Sequence, residues 1–368
     1  MTKDIAFATY DWAMGVKPIE PNGCAWYRCE LPKKELLKHG WEARIGHPQY
    51  FPEKGFGLTD VHQNEMSYGY KIVVFKLIML KQVLEIMRDE KRNKDQKIVV
   101  DIDDFYEGLT EHNLAWKNTD PSRSDESNRE HYLSIIDEAD YLTVSTQFLY
   151  DYYTKEKGKT NVFLIRNGID IGRWRRRGDY SRYLPTVGWV GATPWRSLDL
   201  EQLQPFFGKF MSENRLPFHH AGHIDGHSVV PKLGLNADTK FTHEPRKIIS
   251  QYPQMFRKID IGIVPLNDIP FNHAKSTIKG LEYAAAGIPF IASRSPEYEL
   301  LASQGVGRVA GNEDEWVGHL TELLDPRIRK EEIEKNYENL KAMHTMEKRG
   351  IEWNEAMNII LDNNSIVQ

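Results

Sequence analysis

The sequence predicts an α/β protein of two domains, and three observations predict it. At 368 residues the chain exceeds one ordinary hydrophobic core. Short apolar runs alternate with helical patterns in two successive series, the mark of parallel sheets with crossover helices. A stretch rich in Gly, Arg and Pro, without apolar periodicity, separates the two series.

In the first series, strands are expected at DIAFATY (4–10), WEARIG (41–46), KIVVFK (71–76), KIVVDID (97–103), YLTVST (141–146) and NVFLIRN (161–167). Helical patterns lie between them near 31–39, 78–91 and 130–139. The break is NGIDIGRWRRRGDYSRYLP. The second series places strands at 186–191, 217–222, 239–243, 260–266, 288–293 and 305–311, with helices near 199–214 and 247–257 and one opening at 276. The helical stretch 330–361 is too long for one crossover, so part of it is expected to pack back on the first domain. The expected division is a first domain over 1–168, a linker over 169–185, a second domain over 186–345 and a returning C-terminal helix over 346–368.

Composition narrows the function. The chain has 48 basic and 53 acidic residues and a formal charge of −5, so no global positive field recruits nucleic acid or an anionic membrane. Cys24 and Cys29 fit neither a zinc knuckle nor a redox pair, which favours a reducing compartment. No apolar run reaches membrane-spanning length and the N-terminus lacks a signal-type apolar core, so a cytoplasmic protein is expected. Aromatics at 11% suit a carbohydrate cleft, because sugar faces stack on rings.

The most informative stretch is FNHAKSTIKGLEYAAAGIPFIAS, residues 271–293. Ser276 is expected to cap a helix whose first turn holds Thr277, Ile278 and Lys279, and Gly287 followed by Pro289 ends it. The orphan N–H groups and the positive dipole end then face Lys275 and Ser276, where a phosphate can bind. Glu282 lies about 9 Å further along the axis, within reach of the ribose of a nucleotide diphosphate. The structural alternative is a capped core helix with Lys279 and Glu282 as an ordinary i,i+3 pair.

This stretch, together with DIGIVPLND before it, resembles the donor-site segment of GT-B glycosyltransferases of the retaining family 4, or group 1. The resemblance extends to ADYLTVSTQFLYDYYTKEKGKTNVFLIRNGID and to VGWVGATPWRSLDLEQL, and so spans about 139–293. The segments PNGCAWYR and DIDD are similar to bacterial and phage-encoded members. The resemblance implies a GT-B fold, two Rossmann-like domains facing across a cleft. It implies a hexosyltransferase that moves a sugar from a UDP- or GDP-sugar to a hydroxyl acceptor with retention, requiring no metal or other cofactor.

Carried over by position, Glu282 matches the ribose-binding glutamate. The family's second glutamate falls on Ala274, leaving Asn272 and His273 as nearby substitutes. Its diphosphate-gripping arginine falls on Ala192 and its lysine on Arg196; Lys275 is placed to supply the other cation. Gly191, Ser276 and Thr277 complete the donor set. In the first half, Gly23 is expected near donor phosphate or acceptor, with Tyr27 and Arg28 behind it.

Asp101, Asp103 and Asp104 close a buried strand. Asp103 and Asp104 are expected to bind the acceptor, helix capping being the alternative. A metal-binding D-x-D or a phosphatase aspartate would need a different second half. His219, His220, His223 and His227 are close in sequence, and imidazoles are common metal ligands; strand alternation separates the first two. Arg173, Arg175, Arg176, Arg177 and Arg182 interleave with Trp174, Tyr180 and Tyr183, a pattern of a solvated hinge or of a grip on nucleic acid. Three readings follow: transfer to a glycan, protein or small molecule; transfer to hydroxymethylated bases in DNA; and a degenerate nucleotide-sugar-binding protein.

Overall fold

Every run of β-branched and aromatic residues in the two series forms a strand, and the strands sort into two sheets. The structure, a computed structural model, describes residues 3–13, 19–51, 55–60, 64–76, 81–88, 96–111, 113, 116, 128–176, 182–195, 197–224, 226 and 228–362. The chain divides into two units. Unit 1 comprises Met1–Phe105, Lys117–Gly168 and Met346–Gln368; unit 2 comprises Tyr106–Trp116 and Ile169–Thr345.

The unit 1 sheet runs in the order β4-β3-β2-β1-β5-β6-β7-β8. Its strands are β1 (Asp4–Ala8), β2 (Glu42–Phe51), β3 (Gly55–Thr59), β4 (Glu65–Tyr68), β5 (Ile72–Lys76), β6 (Lys97–Ile102), β7 (Tyr141–Val144) and β8 (Val162–Leu164). From β2 across to β8 neighbours pair in parallel, whereas β3 and β4 extend the sheet antiparallel. The central strands read as continuous apolar runs because both their faces are covered: Ile5 to Ala8 and Ile72 to Phe75 have no exposed surface. Strands β3 and β4 were not expected, since GFGLT and EMSY carry no such run.

The C-terminal helix Met346–Asp362 packs into unit 1. Trp353 meets Phe7 of β1 edge-on at 5.8 Å, and Gly350 lies so close to the helix Leu31–Lys38 that a Cβ there would stand 2.6 Å from the Cβ of Glu35. A buried ion pair completes this core. Arg28 sits in a π-helical turn, Trp26–Glu30, and its Nη2 donates to Asp101 Oδ1 at 2.6 Å. Its Nη1 donates to Ile165 O at 2.7 Å, Thr143 donates to Asp101 at 2.7 Å, and the guanidinium lies 5.2 Å from the Trp353 ring. With both residues almost fully buried, Arg28 serves the unit 1 core rather than a ligand surface.

All six strands of the unit 2 sheet are parallel, in the order β11-β10-β9-β12-β13-β14. They are β9 (Val187–Val190), β10 (Phe218–Ala221), β11 (Phe241–Glu244), β12 (Ile261–Val264), β13 (Phe290–Ser293) and β14 (Arg308–Ala310). Phe206, Phe207 and Met211 of the helix Gln204–Glu213 and Trp316 and Leu320 of the helix Glu313–Glu322 cover it with one continuous core. The helix expected near 247–257 is a 3-10 turn over Tyr252–Phe256, and Gln202 and Leu203 separate the helix expected near 199–214 into Ser197–Glu201 and Gln204–Glu213.

The segment 169–176, expected as a free linker, is fastened within unit 2. Ile169 forms an isolated bridge with Thr345, Arg173 donates to the Ile249 carbonyl, and Trp174 packs edge-on against Phe256 at 5.1 Å. Arg177 and Tyr180 lie outside the described residues. Tyr106–Trp116, expected in the first domain, groups with unit 2, where Tyr106 meets Phe271 edge-on. The long stretch 330–361 is two helices, Pro326–Met343 and Met346–Asp362, parted at His344 and Thr345.

Candidate functional site

The order of the unit 2 sheet fixes where a ligand can enter. From β9 the chain winds outward through β10 and β11, then returns to the other side of β9 with β12. At that reversal the loops leaving β9 and β12 run to opposite faces, and in open α/β sheets the ligand crevice lies outside the carboxyl ends of two such strands.

Gly191 leaves β9 toward it. A Cβ at Gly191 would meet the Trp189 ring at 2.4 Å, and one at Gly222, where φ is +152°, would meet the Gly191 carbonyl at 1.8 Å, so the close packing of the two loops demands glycine at 222. The histidines brace these loops. His220 donates through Nε2 to Gly191 O at 3.0 Å, and His243, on the next strand, does the same to Gly222 O at 3.0 Å. A carbonyl only accepts, so Nε2 carries the proton in both. His220 stacks on Trp189, and His219 bonds Thr242. Burial lowers the pKa of His219 and of His220 to about 4, which keeps both neutral. His227 lies outside the described residues, among which no three His, Cys, Asp or Glu side chains converge on a metal position.

Beyond Ala192 the chain makes a 3-10 turn, Thr193–Trp195, and enters the helix Ser197–Glu201. Arg196, between them, lies outside the described residues. Asp199, in that short helix, is the residue that ties the two sides of the crevice together. Its Oδ1 accepts from the Asn267 N–H at 2.9 Å and from Asn272 Nδ2 at 2.6 Å, and that Nδ2 also donates to Asn267 O at 2.9 Å. The segment just after Arg196 is thereby bonded to the segment just before Lys275. Asn272, expected to face a sugar, is 2% exposed and spends its amide hydrogens on this clamp. Ala274 is buried, and His273 pairs with Asp268 at 2.6 Å. The Lys275 ammonium lies 4.1 Å from the Phe271 ring centre.

The helix that follows spans Ile278–Ala286 and ends at Gly287 in the left-handed conformation, φ 72°. Its N-cap is Thr277, with no side-chain cap bond, and not Ser276, which sits one residue outside. Tyr283 pins the helix to β9, donating to Gly188 O and accepting from Val190 N, each at 3.2 Å. Glu282 is 2% exposed; its Oε2 accepts from Lys279 Nζ at 2.7 Å and from the Tyr252 hydroxyl at 3.0 Å. The i,i+3 pair is thus real, but its carboxylate is buried, its lysine is half-buried, and it has a third member. Asp199, Tyr252 and Tyr283 were missed in the sequence because each acts through a partner remote along the chain.

In unit 1 the order reverses between β1 and β5. Lys76, ending β5, donates to Asp103, just past β6, at 2.5 Å, with both side chains largely covered. The Asp103 carboxylate, and after it desolvation of the sulfur, push the Cys24 thiol well above its ordinary range, with Asp104 and Asp11 adding to the effect and Lys76 opposing it. Gly23 is exposed, and a Cβ there would meet nothing within 4 Å. Asp101, by contrast, belongs to the Arg28 pair. Asp103 and Asp104 are the aspartates of this strand end that stand clear of that core.

No protein-family model matches the sequence, and no curated protein matches it. Solved structures do. Sucrose-phosphate synthase from Thermosynechococcus elongatus is 13% identical with a TM-score of 0.67, over 96% of this chain and 98% of that one. A glycosyltransferase from Rickettsia africae is 11% identical with a TM-score of 0.64, over 99% and 100%. HepE from Anabaena, solved in complex with UDP-glucose, is 12% identical with a TM-score of 0.61, over 98% and 100%. Likeness at such identities is a likeness of fold: the chain has the α/β architecture of the GT-B glycosyltransferases, with two Rossmann-like sheets.

Proposed function

We propose that the protein is a glycosyltransferase that moves a sugar from a nucleotide diphosphate, a UDP-sugar in first place and a GDP-sugar in second, to a hydroxyl acceptor. The observation that carries this reading is the Asp199 clamp at the sheet's switch point, which joins the chain next to Arg196 to the chain next to Lys275. Two cations and the N-terminus of the helix Ile278–Ala286 would then meet the diphosphate and balance the charge that grows on it as it leaves. HepE, solved with UDP-glucose, favours uridine. Glu282, its rotamer held by Lys279 and Tyr252, would take the ribose.

Retention is taken from the family resemblance, and the residues are compatible with it. Ala274 stands where a carboxylate would face the sugar, and no other carboxylate is assigned as nucleophile. The acceptor oxygen then attacks C1 on the face from which the phosphate departs; the C1–phosphate oxygen bond breaks, and the leaving phosphate takes the acceptor's proton. Asp103, with Lys76, and Asp104 would hold the acceptor. Within the linker, Arg176 lies over Tyr337 and Arg173 is bonded to Ile249, so a DNA acceptor ranks behind a glycan, protein or small molecule.

Release of UDP from UDP-glucose and related donors tests the reading. Slow release by the wild type that falls about 10²–10³-fold in Arg196→Ala and Lys275→Ala supports an enzyme. Tight binding without turnover for every donor and acceptor class favours the binding protein that Ala192 and Ala274 would suit.

A further inference from the structure

Unit 2 holds a cavity of about 350 Å³ beside the carboxyl ends of β13 and β14, within the size range of small-molecule sites. Residues of the Gln204–Glu213 and Glu313–Glu322 helices wall it, and Leu266, Asp268 and His273 reach it from the loop that continues into Lys275. Its walls are divided between apolar and polar surface.

Ser295 is the informative wall residue. It is 5% exposed, and among the described residues nothing hydrogen-bonds its Oγ. It precedes the eight-residue helix Pro296–Ser303 in extended conformation, yet its hydroxyl does not cap that helix. A buried hydroxyl without a partner loses its hydration uncompensated, a loss that a ligand hydroxyl in the cavity would recover.

The charges on the walls decide the class of ligand. Arg294 bonds Glu299 and Glu315, each at 3.0 Å, so its charge is matched by carboxylates, and the His273 ring bonds Asp268. Glu313 adds a further carboxylate, and an anion would meet a net acidic wall. Leu266, Phe206 and Trp316 offer apolar surface beside these acceptors. A ring with apolar faces and hydroxyl donors at its edge fits both features.

We propose that this cavity is a second carbohydrate site that takes a neutral pyranose. Because its loop continues into Lys275, sugar in the cavity and nucleotide at the switch point act on one segment, and each changes the affinity for the other by the same factor. That coupling rests on the donor reading above; the sugar site itself does not.

The full chain is titrated with methyl α-D-glucopyranoside, methyl α-D-mannopyranoside and N-acetylglucosamine, without nucleotide and then with saturating UDP. The expected result is saturable binding of at least one sugar under both conditions, weakened tenfold or more in Ser295→Val and in Glu313→Gln while UDP affinity changes less than twofold. The proposal is overturned if none of the three binds, if UDP abolishes the binding by competition, or if both variants bind as the wild type does. Should Ser295→Val fail to fold, Glu313→Gln decides. If UDP itself does not bind, the donor reading fails and the titration without nucleotide still decides the sugar site.

Discussion

At the scale of single residues, two buried carboxylates make different predictions. Asp101 balances a buried guanidinium, so Asp101→Ala leaves an uncompensated charge beside Trp353 and is expected to cost about 3–5 kcal/mol in urea unfolding. Asp199 accepts from the Asn267 N–H and the Asn272 amide, so Asp199→Ala is expected to cost about 1–3 kcal/mol, and its larger effect is to loosen the loop that leads to Lys275. A weakened UDP affinity with modest loss of stability identifies that role; unchanged affinity contradicts it. The histidines give a pH signature. His219 and His220 titrate near pH 4 when folded, against an ordinary 6.5, so below pH 6.5 the unfolded chain binds more protons than the folded one. Their contribution is complete above pH 6.5 and is lost progressively as pH falls toward 4. Melting temperature should fall across that window, and by less in His219→Asn. An equal fall in that variant would contradict the assignment.

Among elements, the central parallel strands were legible because both their faces are covered, which writes a continuous apolar run into the sequence. Strands β3 and β4 were not, because an antiparallel edge needs no such run. The Ile278–Ala286 helix was bracketed correctly at Gly287 and wrongly at Ser276: a left-handed C-cap demands glycine, whereas the N-cap Thr277 makes no side-chain bond that would mark it. Local chemistry such as the Lys279–Glu282 spacing could be read directly. The Asp199–Asn272 bond and the Tyr252–Glu282 bond span 73 and 30 positions, and no periodicity reports contacts at that range. The packing of Met346–Asp362 on Leu31–Lys38 depends on Gly350. Gly350→Leu would drive a side chain into Glu35 and is expected to cost about 1–3 kcal/mol, seen as a lower urea midpoint.

For the molecule as a whole, both units follow one rule: each sheet reverses its winding once, beside β1 in unit 1 and beside β9 in unit 2, and charged residues gather at the carboxyl ends there. The proposed division of labour gives the nucleotide to unit 2 and the acceptor to unit 1, with the diphosphate held by Arg196 and Lys275. The most direct measurement of that claim is calorimetric titration of UDP against the wild type, Lys275→Ala and Asp103→Ala. The account predicts binding that weakens tenfold or more in Lys275→Ala and stays within twofold in Asp103→Ala. Wild-type binding undiminished in Lys275→Ala, or no UDP binding by a folded wild type, would contradict it.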